Sequence, residues 1–355
     1  MLAGSDFWRG KRVLLTGHTG FKGSWMSLVL ERLGSHVAGF ALAPDQKPNL
    51  FRQIAPFSDH RSIIGDVADT GLLEETIGAF LPQIVIHMAA QPLVRRSYEA
   101  PVETFLTNVQ GTANLLNALR DVPPLEAVLV ITTDKVYRNP EDGVPFREDD
   151  VLGGHDPYSA SKAAVEIVVE SYANSFFRDL HIPVATARAG NVIGGGDWSA
   201  DRLVPDVIRA AMAGRQVELR HPDAVRPWQH VLDPLRGYLM YIEALVSAPN
   251  DTPRALNFGP ETADDHVTVA DLVDLVTETM SLPKGWCAQP GRHPEEMTAL
   301  ALDSGLANRT LNWRPRLRVR DAIELTARWY EQFMNKGDMR TFTAAQIDWY
   351  GNQGD

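Results

Sequence analysis

A single cysteine, Cys287, stands in a chain of 355 residues. An internal disulfide is therefore excluded, and a cysteine-built zinc cluster with it. Basic blocks are missing as well. The 34 Lys and Arg are outnumbered by 45 Asp and Glu, for a net charge of −11, which excludes nucleic-acid binding driven by phosphate neutralisation. No stretch approaches ~18 consecutive apolar residues, and the opening MLAGSDFWRGKR has no apolar signal core. His221, His230 and His266 are scattered, so no metal-ligand set is expected. Internal repeats, low-complexity tracts and long linkers are likewise lacking. These absences predict a soluble, cytoplasmic protein whose partners are neither nucleic acid nor membrane.

What is present is ordinary for a globular chain: 44% hydrophobic and 22% charged residues. At roughly 150 residues per domain, the length predicts two domains. Short β-branched runs at Val13–Thr16, Val37–Leu42, Ser62–Ile64, Ile84–His87, Val128–Thr132 and Val184–Arg188 read as buried strands. Helical patterns intervene at Gly23–Leu33, Leu72–Phe80 and Glu103–Leu119. This alternation predicts an α/β fold, a Rossmann-type doubly wound parallel sheet over residues 1–190. After Asn191 the rhythm breaks into a glycine-rich loop, with helical pieces near Arg202–Ala213 and Ala270–Met280. Residues 191–355 are expected to form a smaller α/β domain, the chain returning to the first domain around 228–256.

The run Val13–Thr16 leads directly into Gly17-His18-Thr19-Gly20-Phe21-Lys22-Gly23 and then a helical pattern. Glycines at G-x-x-G-x-x-G spacing let the backbone approach a pyrophosphate, held by the N–H groups and positive end of the following helix. These seven residues are the expected dinucleotide loop. The second strand ends Phe40-Ala41-Leu42-Ala43-Pro44, without the usual ribose-gripping acid and without an arginine for a 2′-phosphate. NAD is favoured over NADP. Asp66, after the third strand, is placed to accept from the adenine amino group or simply to cap a turn.

Asp156-Pro157-Tyr158-Ser159-Ala160-Ser161-Lys162 opens another helix, with proline suited to the first turn. Tyr158 and Lys162 stand four apart and share a face. An ammonium beside a phenol favours the phenolate, a base usable near neutrality.

The strings TGHTGFKG, YSASK and Thr132-Thr133-Asp134-Lys135 together resemble the extended short-chain dehydrogenase/reductase superfamily across nearly the whole chain. Longer strings resemble one branch of it, the 4,6-dehydratases acting on CDP-glucose. These are GHTGFKGSW from Gly17, HMAAQPLVR from His87, RAGNVIGGGDW from Arg188 and RPWQHVLDPL from Arg226. The resemblance implies NAD as cofactor and CDP-glucose as substrate. It implies C4 oxidation with Tyr158 as base, Thr133 on the 4-oxygen and Lys162 on the nicotinamide ribose. Elimination of water across C5 and C6 follows, and then return of hydride to C6. In dTDP-glucose dehydratases the strand-end motif is Thr-Asp-Glu; here Lys135 replaces that glutamate. Asp134 is implied as the acid. Lys135 is implied either as the C5 base, acting as a neutral amine, or as an electrostatic stabiliser of the enolate. A simple 4-epimerase lacks both groups at these positions.

The resemblance also assigns Val67, Ala89, Ala90 and Gln91 to the cofactor, with Gln91 close to the sugar. Asn191 and Arg226 are implied for the diphosphate, Arg202 and Leu203 for the segment that packs along the nucleotide, and Arg292 and His293 for a base and phosphate clamp. Asn108 reads as a packing or cofactor-supporting residue outside the catalytic set. The helices over Glu103–Leu119 and Tyr158–Phe177 correspond to a four-helix dimer interface in this superfamily, with Val165, Val168, Val169 and Tyr172 expected as its apolar surface. The competing expectations are a 4-epimerase, a dehydratase of another sugar nucleotide, and a non-catalytic NAD sensor.

Overall fold

The computed structural model describes residues 5–261, 267–282, 285–288 and 300–353. Seven strands form one parallel sheet: β1 Arg12–Thr16, β2 His36–Ala41, β3 His60–Ile64, β4 Ile84–His87, β5 Ala127–Ile131, β6 Val184–Ala189 and β7 Ala255–Phe258. Their spatial order is β7-β6-β5-β4-β1-β2-β3, so the winding reverses between β1 and β4. Thr16 and His87 end those two strands in register, and the crevice beyond such a reversal is where α/β sheets bind ligands.

Alternate residues of each central strand face opposite layers. Val13, Leu15, Ile84, Ile86 and Leu129 pack with α1 (Phe21–Arg32) on one side. Leu14, Val85, Val128 and Val130 pack with α2 (Thr70–Phe80) and α3 (Pro157–Tyr172) on the other. Strands buried on both faces need an unbroken apolar run, which is why VLLT, IVIH and AVLVI carry no polar alternation.

The first six strands lie where the sequence predicts them, but β3, expected to be buried, is an edge strand with no buried residue. β7 was not expected: Ala-Leu-Asn-Phe is too short to display a period. It reaches the sheet edge beside β6 after α5 (Leu232–Ser247), which follows α4 (Leu203–Met212) in the chain. The expected helix over Glu103–Leu119 is three pieces, Pro101–Phe105, a π-helical turn Leu106–Gln110, and Gly111–Ala118. Similarly, α3 ends at Tyr172 and passes into a π-turn, Ala173–Phe177. The expected helix near Ala270–Met280 spans Val269–Thr279. Two C-terminal helices without a sequence expectation, α6 (Val319–Met334) and α7 (Met339–Asn352), seal the first layer with the buried Trp329, Tyr330 and Tyr350.

The apolar face of α3 differs from the sequence expectation. Val165 and Val169 are buried in the chain's own core, and Val168 and Tyr172 pack against it. Solvent instead meets Ile167, with Val102, Phe105 and Leu106 on the neighbouring helical segment. Among the described residues no helix is long and apolar enough to cross a membrane, and no group of three or more His, Cys, Asp or Glu is placed to hold a metal ion.

Candidate active site

The loop between β1 and α1 is built around two glycines. Gly17 adopts a left-handed φ of +75°, and a Cβ there would lie 2.7 Å from the Ala89 backbone nitrogen. A Cβ on Gly23 would lie 2.1 Å from the Gly17 carbonyl oxygen. Loop, β4 end and helix are thus in backbone contact, and neither position has room for a side chain. Gly20 caps α1 without a side-chain hydrogen bond, and the first turn holds no acidic residue. The leading N–H groups and positive helix end therefore suit an anion.

The loop's side chains point in different directions. His18 is buried away from the cleft, its Nε2 2.7 Å from Ser62 Oγ and its ring edge-on to Phe51. Burial, and then neighbouring His60, push its pKa down to about 3, so it is neutral. Thr19 Oγ1 donates to the Leu42 carbonyl at 2.8 Å, tying the loop to the end of β2. Phe21 approaches the Gly194 backbone. Lys22 enters a cationic neighbourhood: burial, then Arg202 and Lys162, push its pKa down to about 7, against the pull of Asp134 and Asp197. Asp66 is exposed and accepts from Ala68 N at 2.9 Å, an ordinary turn bond. Val67 is buried against Gly111.

Beyond β4, Ala89 and Ala90 are partly buried, and the Ala89 N–H donates to Thr16 Oγ1 at 3.1 Å. Gln91 spends its side chain on its own loop. Its Nε2 donates to Leu93 O and Thr104 Oγ1, and its Oε1 accepts from Leu93 N. Asn108 sits in the π-turn with its side chain between the Gln91 backbone and Ser161 Oγ, at 2.8 Å from each. It supports the site by joining the β4 loop to α3.

Asp156 starts α3 with a reciprocal capping box to Ser159, and Pro157 follows in the first turn. This fixes Tyr158, whose N–H also reaches Ser97 Oγ at 3.2 Å. One helical turn on, Lys162 Nζ donates to the Ile131 carbonyl at 3.1 Å, at the end of β5. Thr133, Asp134 and Lys135 follow that strand end. Thr133 is near enough to the Tyr158 phenol to pull its pKa down, and it donates to Asp134 Oδ1 at 2.9 Å. Lys135 Nζ donates to the same Oδ1 at 3.2 Å. Asp134 is 1% exposed, and its Oδ2 has no partner. All five residues expected to act on a sugar therefore meet at one strand end.

Burial dominates the electrostatics here. It pushes the Tyr158 phenol up to about 12, with Thr133 and Arg202 pulling it down and Asp134 pushing it further up. The same burial pushes the Lys162 ammonium down to about 8, opposed by Glu166. Lys162 thus spends a hydrogen bond on the strand end, an anchoring that its spacing from Tyr158 does not reveal.

From the other side of the cleft, Arg202 caps α4 and holds Asp197 Oδ2 at 3.1 Å. Leu203 is partly buried beside it. Asn191 takes a left-handed φ of +44°, and its buried Nδ2 has no partner among the described residues. An unsatisfied buried amide is costly unless something accepts from it. Arg226 places Nη1 on the Val225 carbonyl at 3.2 Å. Arg292 and His293 lie outside the described residues. Trp198 packs on Tyr330 and Phe333 and belongs to the core. One residue that sequence reasoning passed over is Glu166, whose buried carboxylate lies one turn beyond Lys162; its only signal was the i,i+4 spacing.

Comparison with known proteins matches the NAD dependent epimerase/dehydratase family over residues 13–259. The CDP-glucose 4,6-dehydratase of Salmonella typhimurium is 42% identical over 350 residues, covering 97% of each chain. Among solved structures, an epimerase from Methanothermobacter thermautotrophicus superposes with a TM-score of 0.82 at 23% identity, covering 95% of this chain and 96% of that one. The UDP-glucose 4-epimerase of Brucella ovis, solved with NAD, gives 0.77 at 22% identity, covering 91% and 99%.

Proposed function

This chain belongs to the NAD dependent epimerase/dehydratase family, and we propose that it is a CDP-glucose 4,6-dehydratase, converting CDP-D-glucose into CDP-4-dehydro-6-deoxy-D-glucose and water. The observation that carries the reading is the 42% identity to the Salmonella enzyme, which extends over 97% of both chains. The Thr-Asp-Lys strand end beside Tyr158 agrees with it, since elimination needs an acid that a 4-epimerase does without.

The β1–α1 loop fits a dinucleotide: close-packed glycines, an uncapped helix start and the cations Lys22 and Lys162 in reach. Bound NAD supplies the hydride acceptor for C4 and later the hydride donor for C6. In this reading Tyr158 takes the 4-hydroxyl proton while Thr133 holds the oxygen and Lys162 favours the phenolate. The C4 ketone then acidifies C5–H. Asp134 gives its proton to the departing 6-hydroxyl, and Lys135 as neutral amine takes the C5 proton and later returns it to C5. Alternatively Lys135 acts as ammonium and stabilises the enolate. Overall the 4-hydroxyl proton leaves with the water. The Thr133 hydroxyl, which acts on the phenol and donates to Asp134 Oδ1, lies between the two and offers a path from one to the other.

We assign the cofactor contacts to Gly17–Gly23, Asp66, Val67, Ala89, Ala90 and Gln91. Of these, His18 and Gln91 act through their backbones, because their side chains are engaged elsewhere. Residues 191–355 would carry the nucleotide site, with 228–256 returning to the sheet. There Asn191 offers its free amide to a phosphate oxygen, Arg202 and Arg226 offer positive charge, Leu203 packs alongside, and Arg292 and His293 clamp the base. The exposed Val102, Phe105, Leu106 and Ile167 support a homodimer through a four-helix interface; sedimentation as a monomer at micromolar protein would remove it. A single cysteine and a nucleotide-activated substrate support a cytoplasmic setting.

Incubation with NAD and, separately, CDP-, dTDP- and UDP-glucose tests the reading through product masses. Loss of one water from CDP-glucose alone is expected. Water loss from another nucleotide overturns the substrate, and an epimer of unchanged mass overturns the reaction.

A further inference from the structure

Behind the reacting groups lies a buried ion pair that the reaction just described does not use. Glu166 and Arg188 are 5% and 4% exposed, with Arg188 Nη2 donating to Glu166 Oε2 at 2.8 Å. Burying a carboxylate is costly unless its oxygens are satisfied, and these are. Thr132 Oγ1 donates to Oε1 at 2.5 Å, and Thr186 Oγ1 to Oε2 at 2.7 Å. Arg188 is held in turn by the Tyr137 hydroxyl, 2.7 Å from Nη1. Tyr137 donates to Asn257 Oδ1 at 2.7 Å, which anchors the group to β7.

The placement links this pair to the chemistry in two ways. Thr132 lies between Ile131, whose carbonyl holds Lys162, and Thr133, which meets Tyr158. Holding Thr132 therefore sets both contacts at once. Glu166 also follows Lys162 by one turn of α3, with a charge opposite to the ammonium.

We propose that Glu166 is a positioning residue for this site, its carboxylate fixing the Ile131–Thr133 strand end through Thr132 and facing Lys162, with Arg188 holding it from behind. The activity part of this inference rests on the dehydratase reading; the charge part does not. Glu166 opposes the burial that pushes Lys162 down to about 8. Lys22 from the first turn of α1 and His87 from β4 also interact with the Lys162 charge, and Tyr158 stands one turn before it on α3. His87 is neutral, pushed by burial to about 3, and Lys22 repels an ammonium. Glu166 is thus the carboxylate that opposes the loss of the Lys162 proton.

The test uses full-length protein carrying 13C-labelled lysine side chains, with the Lys162 signal assigned by its loss in Lys162→Arg. Glu166→Gln should lower the Lys162 titration midpoint by about one pH unit, the low end for loss of an adjacent opposite charge. With CDP-glucose and NAD, the alkaline limb of the kcat profile should move down by the same amount, and Glu166→Asp should restore most of it. Thr132→Val keeps the charge and removes the strand-end bond. It should lower kcat about tenfold or more at every pH, in line with misplaced reacting groups, with the midpoint unchanged. If Glu166→Gln does not fold, Glu166→Gln with Arg188→Met removes both buried charges and carries the same test. An unchanged Lys162 midpoint overturns the charge role, whatever the substrate proves to be. Full activity of Thr132→Val overturns the positioning role. Failure of wild-type protein to dehydrate CDP-glucose, with the midpoint shift intact, instead faults the substrate reading.

Discussion

Gly190→Ala is expected to damage the elimination chemistry while leaving the fold in place. Gly190 follows β6 directly, and a Cβ there would lie 1.7 Å from Asp134 Oδ2 and 2.1 Å from its Cγ. Ordinary contact begins at 3.4 Å, so the carboxylate must retreat by about 1.7 Å. The backbone has little freedom to retreat in its place, because Gln229 Nε2 holds the Gly190 carbonyl at 3.0 Å. Nor is the glycine in the left-handed region, so alanine costs nothing in backbone strain. A displacement of that size breaks the 2.9 Å bond from Thr133 and the 3.2 Å bond from Lys135. Overpacking costs about 1–3 kcal/mol, which a domain with roughly 5–15 kcal/mol of stability survives. The catalytic loss is larger in consequence: misplacing a reacting group by about 1 Å costs about 10²-fold, near 2.7 kcal/mol on the barrier. If Asp134 expels the 6-hydroxyl, C4 oxidation outlives elimination. Mixing the variant with NAD and CDP-glucose should then leave reduced cofactor visible by its near-ultraviolet absorbance, with little mass loss in the sugar. Gly78→Ala is the control, because a Cβ at Gly78 meets nothing within 4 Å and alanine should stabilise that helix by about 0.5–1 kcal/mol. A Gly190→Ala enzyme that dehydrates within threefold of wild type refutes the reasoning.

Tyr158→Phe should lower kcat by about 10²–10⁴, the usual worth of a positioned acid or base, and keep NAD affinity within a few fold. A loss of binding equal to the loss of rate would make the phenol a binding group instead. Gly23→Ala, with its Cβ 2.1 Å from the Gly17 oxygen, should raise the NAD Kd at least tenfold by fluorescence titration; unchanged affinity would place the cofactor elsewhere. Acid should destabilise the fold before it affects most carboxylates. His18, His87 and His230 are pushed by burial to about 3 and His60 to about 4, all below the ordinary 6.5. Depressed values mean that the stabilisation is complete above pH 6.5 and is lost as pH falls toward the folded values, at about 1.4 kcal/mol per unit for each histidine. Asp233, raised by burial to about 6, works the other way: it favours the fold below about pH 4 and loses that contribution as pH rises through about 6. Denaturant curves at pH 6.5, 5.5 and 4.5 should therefore show a steep fall equivalent to about three net protons, and a flat profile would mean that these rings are not buried in solution.

How much of this was legible beforehand follows from where each signal lives. Five of the six strands could be read because each is largely buried and carries its own apolar run, and β3, half-exposed, from its short Ser-Ile-Ile run; β7 could not, being four residues whose position depends on pairing with β6. The π-turn at Leu106–Gln110 contains neither glycine nor proline to announce it, and it exists where Asn108 reaches across to Gln91 and Ser161. Periodicity along α3 marked an apolar stripe but not its neighbour. Val165 and Val169 therefore look like surface for a partner until the second sheet layer is placed under them.

The same distinction separates the parts of the site. Tyr158 and Lys162 can be found from spacing because one helix carries both. The cluster behind them is assembled by sheet register, which no local window contains. β5 and β6 pair with Val130 opposite Thr186 and Ile131 opposite Ala187, and the Thr132 N–H continues the ladder to the Ala187 carbonyl at 2.9 Å. Thr132, Thr186 and Arg188 are thereby brought to a common carboxylate from positions 34, 20 and 22 residues away from it. A one-residue slip of β6 would turn Thr186 and Arg188 to the opposite face and leave Glu166 buried with Thr132 but without a countercharge, a state costing several kcal/mol. The ion pair thus penalises the wrong register of the strand pair that carries Thr133. In this part of the molecule, specifying the fold and aligning the reacting groups are one physical requirement, with Glu166 answering to both.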